Sequence, residues 1–288
     1  MSEKKRVLLA CPAKHALPWY WVKSLVQLLA TKSDKYEFDY VTEAGNNAIN
    51  IARNIIADHA IKSPRNYWKM VMVDSDAHWS VEQFLRLLEH EEPFVAGPYC
   101  RKTGGPVSWL CVRTKGTEIR PDGMMECDFL GTHFFAYEIE ALKKVVAHFP
   151  ERVFTYDDEH GQDSRNTMCE LFPIGIVGAN TPEGRLRTIK KVIKQVEDGE
   201  WGAKGEENFW GAYKSICDIA TKPQEGEVRM LGEDYHFCHL ARQAGFKLYC
   251  DRDLNPIGHV GDIIYPVGPN QNSVAQEFPF NSTLLDQW

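Results

Sequence analysis

The chain has 288 residues, 43% of them hydrophobic and 11% aromatic, enough to bury one large α/β core or two small ones. Its net charge of −7 argues against a whole-surface electrostatic grip on nucleic acid and leaves room only for a local basic patch. No apolar run approaches the roughly twenty residues of a bilayer span, and the stretch after the basic N-terminus is too short for a secretory signal, so a soluble intracellular protein is expected. The eight cysteines (Cys11, Cys100, Cys111, Cys127, Cys169, Cys217, Cys238 and Cys250) are dispersed, without a CxxC pair or a zinc-like spacing. Several fall in apolar strands or helix faces, where a free thiol behaves as a small hydrophobe.

In chain order the first half alternates strands and helices, the pattern that builds a parallel sheet. Arg6–Cys11 reads as a buried strand, Trp19–Thr31 as a helix and Tyr36–Thr42 as a second strand. A helix over Asn46–Ile61 is predicted to bury Ala48, Ile51, Ala52, Ile55, Ile56 and His59 on one face. Trp68–Asp74 is an apolar strand ending on a charge, and Ser80 with Gln83 predicts a capping box for a helix over Val81–Glu91. Pro93–Tyr99 is another short strand. Beyond it, Pro106–Arg113 and Met125–Glu138 read as two strands joined by a turn around Pro121–Gly123. A helix follows over Glu138–Phe149, then an apolar strand-like stretch, Met168–Gly178.

From Thr181 to Arg229 the pattern is mostly helical. In its first helix Leu186, Ile189, Val192, Ile193 and Val196 are expected to form the buried stripe, with Arg185, Arg187, Lys190, Lys191 and Lys194 in water. The second carries Phe209, Trp210, Tyr213, Ile216, Cys217 and Ala220 on an apolar face. A helix ending at Gly245, the strand Phe246–Cys250 and a loop over Asn255–Asp262 complete the pattern. The tail from residue 263 to Trp288 has no clear period and is expected to wrap the surface or move.

Three places carry chemistry. Asp74 and Asp76 stand at the carboxyl end of an apolar strand, where open α/β sheets bind ligands, and a cation shared with a phosphate would relieve their repulsion. A solvated strand-to-helix loop would show the same residues. His259, between Gly258 and Gly261 in the sequence GHVG, is either a metal ligand or a structural histidine. Glu233 and Asp234 open a helix, which the helix dipole alone explains, or they project into the cleft, where Asp234 can take a proton from a hydroxyl. The acidic run Tyr156–His160 reads as a solvated loop.

Taken in order, RN in a helix, VMVDSDAHW, AGPYCRK, DFLGTHFF, GEDYHFC and GHVG resemble the GT-A glycosyltransferases related to family 2, a branch found in bacteria and in viruses. The resemblance spans roughly Arg6 to Asp262. It implies a Rossmann-like, mixed but mainly parallel sheet flanked by helices, with a GT-A domain over 1–262 and a C-terminal tail over 263–288. It implies Mn2+ or Mg2+ held by Asp74, Asp76 and His259, with Asp74 and Ser75 also on the donor. It places Pro12, Ala13, Glu43 and Arg53 at the nucleoside-diphosphate sugar, with Arg53 free to meet the base or diphosphate. Gly131 and Thr132 fall on the acceptor side, and Asp234, beside Glu233, falls at the general base of inverting members. The implied reaction is sugar transfer from a nucleoside diphosphate, UDP favoured, to a hydroxyl of a glycan, protein or modified DNA, in the cytoplasm (the host's, if the source is viral).

One departure stands out. Roughly fifty residues, from about Ala179 to Met230, intervene where relatives connect almost directly, so a helical insert over 179–230 is expected and acceptor identity cannot be inherited. The alternatives are transfer to modified viral DNA bases, for which the insert's basic helix is a candidate platform, and a GT-A-like nucleotidyltransferase. The second would usually show a Gly-rich basic loop after the first strand, and Cys11–Trp19 is a poor one.

Overall fold

The computed structural model describes residues 3–14, 16–45, 48–99, 110–155, 167–177, 181–198, 206–222, 229–254, 257–260 and 264–265. The expected features at Tyr156–His160 and from Pro266 to the C-terminus lie outside these residues. The described residues fall into two compact units, of which Ile174–Gly232 is the second.

The first unit opens with β1 (Lys5–Ala13), α1 (Trp19–Ala30), β2 (Tyr36–Ala44), α2 (Ile49–Lys62), β3 (Lys69–Val73), β4 (Ala77–His78), α3 (Val81–Glu89) and β5 (Phe94–Ala96). β6 (Cys111–Arg113), β7 (Met124–Leu130), β8 (Phe134–Glu138), α4 (Ile139–His148), β9 (Val153–Thr155) and β10 (Thr167–Cys169) follow. The second unit holds β11 (Gly175–Val177), α5 (Pro182–Glu197), α6 (Glu206–Thr221) and β12 (Arg229–Leu231). The chain then returns to the first unit with α7 (Glu233–Gln243), β13 (Leu248–Asp251), β14 (Gly258–Val260) and β15 (Ile264–Tyr265).

The fold is mixed α/β, built on an eight-stranded sheet in the order β2-β1-β3-β8-β5-β13-β7-β6. Pairing is parallel at β1–β2, β1–β3 and β5–β13 and antiparallel around β8 and β7, so only these two strands oppose the common direction. This is the Rossmann-like, mainly parallel sheet expected from the sequence. Both faces are covered, which explains why β1 and β3 are apolar at every interior position rather than at alternate ones. Leu8, Ala10, Met70 and Met72 pack with α2, α4 and α7 on one face. Val7, Leu9, Cys11, Val71 and Val73 pack with α1 and α3 on the other, where Trp21 meets Trp79 and Phe84 meets Phe134 edge to face, and Trp79 tilts against Phe84. The predicted capping box on α3 forms in full: Ser80 Oγ accepts from the Gln83 amide at 3.3 Å and Gln83 Oε1 from the Ser80 amide at 2.8 Å.

Four expectations need correction. Met125–Glu138 is not one strand but two, because β7 joins β13 and β6 while β8 inserts between β3 and β5. The break falls at Gly131-Thr132-His133. Asn255–Asp262 is not all loop, since β14 pairs antiparallel with β4 and β15. On α2 the buried face is Ala52, Arg53, Asn54, Ile56, Ala57 and Ala60, while Ile51 is 44% exposed. Its two polar members bury because each meets polar partners there. Asn54 Oδ1 accepts from the Leu171 and Phe172 amides at 2.9 Å each, and Arg53 is taken up below. Of the stripe expected on α5 only Val192 is buried and Ile189 half-buried against α6, while Leu186, Ile193 and Val196 remain exposed. Among the described residues α5 packs on α6, and against one partner helix a narrower stripe suffices.

The seven described cysteines are free, and five of them are buried. No helix among the described residues is long and apolar enough to cross a membrane.

Candidate metal centre

β3 ends at Val73 and the chain turns at once. The Asp74 amide donates to the His133 carbonyl at 2.9 Å, and the Ala77 amide closes back onto the Asp74 carbonyl at 3.0 Å. That carbonyl also accepts the Trp21 indole N–H at 3.0 Å. The tight turn over Asp74-Ser75-Asp76-Ala77 presents both carboxylates toward one ring. His133 Nδ1 lies 3.5 Å from Asp76 Oδ1 and 3.7 Å from Asp74 Oδ2. His133 is 1% exposed and stacks on Tyr99, with centroids 4.3 Å apart. Gly131 permits this: a Cβ there would come within 2.8 Å of the Tyr99 ring.

The Asp74 carboxylate is held from behind. Arg53, 2% exposed, donates from Nη2 to its two oxygens at 2.9 and 3.1 Å and from Nη1 to Glu233 Oε1 at 2.6 Å. Arg53 is therefore engaged with protein carboxylates, not free for a ligand as expected. Its helix faces the sheet, and two acidic elements converge on it. Burial works to raise the Asp74 carboxyl, but Arg53 and His133 outweigh it and hold Asp74 below the usual range. Asp234 behaves oppositely. Burial, reinforced by the neighbouring Glu233, pushes it up to about 6 despite Arg53. Burial and then the charges of Asp74, Asp76 and Asp234 also raise the Tyr99 hydroxyl, and burial with Asp74 and Asp76 raises the Cys11 thiol. Among the described residues, Asp74, Glu233 and Asp234 share one guanidinium, so the centre carries surplus negative charge at neutral pH.

The other predicted residues occupy the same sheet edge or its backbone. Pro12 and Glu43 are partners near the ends of β1 and β2, and β1 runs beside β3, the strand that Asp74 follows. Ser75 lies half-buried within the turn, and Thr132 and Gly131 are buried in the break between β7 and β8. Ala13 is buried, with Glu43 half-buried across the strand pair. His259 pairs through its backbone with Ala77, the residue after Asp76. Its side chain is outside what is described. The ligand the sequence reading missed is His133, hidden inside an expected continuous strand. Gly131, two positions before it, was the available signal, since glycine in a strand marks a break or a close approach.

A divalent cation fits this donor set. One ligand atom each from Asp74, Asp76 and His133 lies within 4.8 Å of the others, and two hard oxygens with one imidazole suit such an ion. The surplus negative charge gives the site a reason to take one.

No protein-family model matches the chain, and no curated protein matches it. Among solved structures it is similar to A197 from STIV, at 20% identity and TM-score 0.36, over 48% of this chain and 68% of that one. It is also similar to 4-diphosphocytidyl-2C-methyl-D-erythritol synthase from Anaerococcus prevotii, at 11% identity and TM-score 0.29, over 55% and 80% of the two chains. Both likenesses are partial, and the metal centre stands on its own residues.

Proposed function

We propose that the chain is a metal-dependent glycosyltransferase of the GT-A type, related to family 2, moving a sugar from a nucleoside diphosphate, UDP favoured, to a hydroxyl acceptor with inversion. The observation that carries this reading is the union of two groups at one sheet edge. A metal-ligating set (Asp74, Asp76, His133) lies within electrostatic reach of a carboxyl raised to about 6 (Asp234). A bound Mn2+ or Mg2+ would supply charge stabilisation for the leaving diphosphate.

The protein's own residues do the rest. Asp74 and Asp76 orient toward the diphosphate without meeting it as bare carboxylates, and Pro12, Ala13 and Glu43 line the nucleoside side. Asp234 accepts the acceptor hydroxyl proton as the new bond forms from that oxygen to the anomeric carbon. The anomeric C–O bond to the diphosphate breaks in the same displacement, through an oxocarbenium-like transition state. A base with a pKa near 6 is ionised at neutral pH yet basic enough to contribute on the order of 10²–10⁴ in rate.

The test is a panel of nucleotide sugars incubated with the chain and Mn2+, following donor hydrolysis and nucleotide binding with and without EDTA. Binding of a UDP-type nucleotide that requires the cation, with slow release of free sugar, is the expected result. Equal nucleotide affinity in EDTA would sink the metal bridge, and no sugar release, with pyrophosphate freed instead from a nucleoside triphosphate offered with a sugar phosphate, would replace glycosyl by nucleotidyl transfer.

A further inference from the structure

Arg53 links two elements that sequence keeps far apart. Through Nη2 it holds Asp74, 21 positions away, and through Nη1 it holds Glu233, 180 positions away, at the first turn of α7. Its Nε is buried and makes no hydrogen bond among the described residues, so the guanidinium is not saturated by these partners. With its side chain only 3% exposed, little solvent screens the three charges from one another. An arginine suits such a place because its planar fork serves two carboxylates at fixed angles, whereas a lysine offers one point charge.

We propose that Arg53 is a positioning residue that couples cation binding at Asp74 to the first turn of α7, where Asp234 stands. The inference rests on the metal-dependent reading above. A cation that shares the charge of Asp74 leaves the guanidinium with a stronger pull on Glu233 and Asp234. Weakening the hold of Glu233 gives the guanidinium more fully to Asp74, which then competes harder with the cation. Linkage makes these two statements one.

The experiment is calorimetric titration with Mn2+ alone of the parent chain, Glu233→Gln, Arg53→Lys and the double variant, each checked for folding by circular dichroism. Arg53→Lys keeps the buried positive charge and removes only the fork. Glu233→Gln is expected to weaken Mn2+ binding at least about fivefold in the parent, the low end of measured couplings. In the Arg53→Lys background the same change should cost less than about twofold, the scatter expected of independent sites. Equal ratios in the two backgrounds overturn the role of Arg53 and leave the metal site standing. Absence of Mn2+ binding in the parent overturns the metal reading itself, and this inference with it. Should Arg53→Lys not fold, amide exchange over Asp74–His78 decides: Glu233→Gln slows it if the freed guanidinium tightens on Asp74, and unchanged exchange rejects the coupling.

Discussion

Two aspartates, one buried and one half-buried, close strands of the same sheet, and they are treated in opposite ways. Asp251, at the end of β13, is fully buried and fully answered: Arg86 donates to its two oxygens at 2.7 and 3.0 Å, and His90 Nε2 and the Asp253 amide stand at 2.7 and 3.0 Å. Asp74, after β3, also has an arginine and a histidine, but its arginine is divided with Glu233, and the charges of Asp76 and Asp234 act on it as well. Both carboxyls are held below their usual range against the cost of burial. The difference between the sites is balance. A saturated cluster fastens α3 to the sheet; an unsaturated one stores repulsion that a cation can relieve, which is how functional sites trade stability for chemistry.

The sharpest way to break this comparison is at Asp234. Asp234→Asn is expected to preserve donor affinity and lower turnover at least about a hundredfold, as loss of a general base should. In the parent, turnover should fall as pH drops below about 6, where this carboxyl takes up its proton. Stability carries the opposite sign. A carboxyl whose folded pKa is raised favours the folded state at low pH, and that contribution is lost as pH rises through about 6. The asparagine variant should therefore melt higher than the parent at pH 7. Near-normal turnover, or a lower melting temperature at pH 7, would remove the base role.

The second contrast sets Asp251→Asn against Asp76→Asn. Breaking a buried pair at Asp251 leaves Arg86 and His90 facing a neutral amide. Because Arg86 reaches solvent, a cost near the low end for such breaks is expected, about 3 kcal/mol, with Mn2+ binding retained. Asp76→Asn removes charge from the site in surplus, so stability should change by less than about 0.5 kcal/mol while Mn2+ binding is lost. Denaturant unfolding and calorimetry together read both. Equal destabilisation by the two variants would mean that the clusters do the same structural job.

Much of the balanced part of the molecule was legible in the sequence, and the unbalanced part only in outline. β3 could be read because four buried apolar residues, Met70 to Val73, end on Asp74, and α3 because Ser80 and Gln83 spell its cap. The Asp74–Asp76 pair was visible for the same reason. Arg53 was misjudged because hydrophobic patterning scores an arginine as solvent-facing, and its partners are brought together by folding rather than by spacing. His133 was missed because Phe129 to Tyr137 is apolar enough at both ends to pass for one strand, although β8 must leave β7 to reach β3. β14 offered no apolar run to mark it, and its pairing with β4 and β15 makes it a strand.

The smallest expected effect lies in the second unit, within α5, where residues of like charge play unlike parts. Lys190, Lys191 and Lys194 are exposed, while Arg185 turns inward and donates from Nη1 to the Ile219 and Lys222 carbonyls at 2.5 and 2.9 Å, answering carbonyls that the end of α6 leaves open. A cation there also meets the negative end of the helix dipole. Arg185→Gln should thus destabilise the hairpin by about 1 kcal/mol, the usual worth of a lost cap or dipole contact. Replacing the three lysines together by Gln should change stability by less than about 0.5 kcal/mol. Transfer to the true acceptor should be equally indifferent to the lysine change and to added salt, because a solvated face contributes no phosphate contacts. The reverse pattern, with Arg185→Gln silent and transfer lost with the lysines and mimicked by salt, would make α5 a platform for a polyanionic acceptor and give its basic face a function rather than a solvation shell.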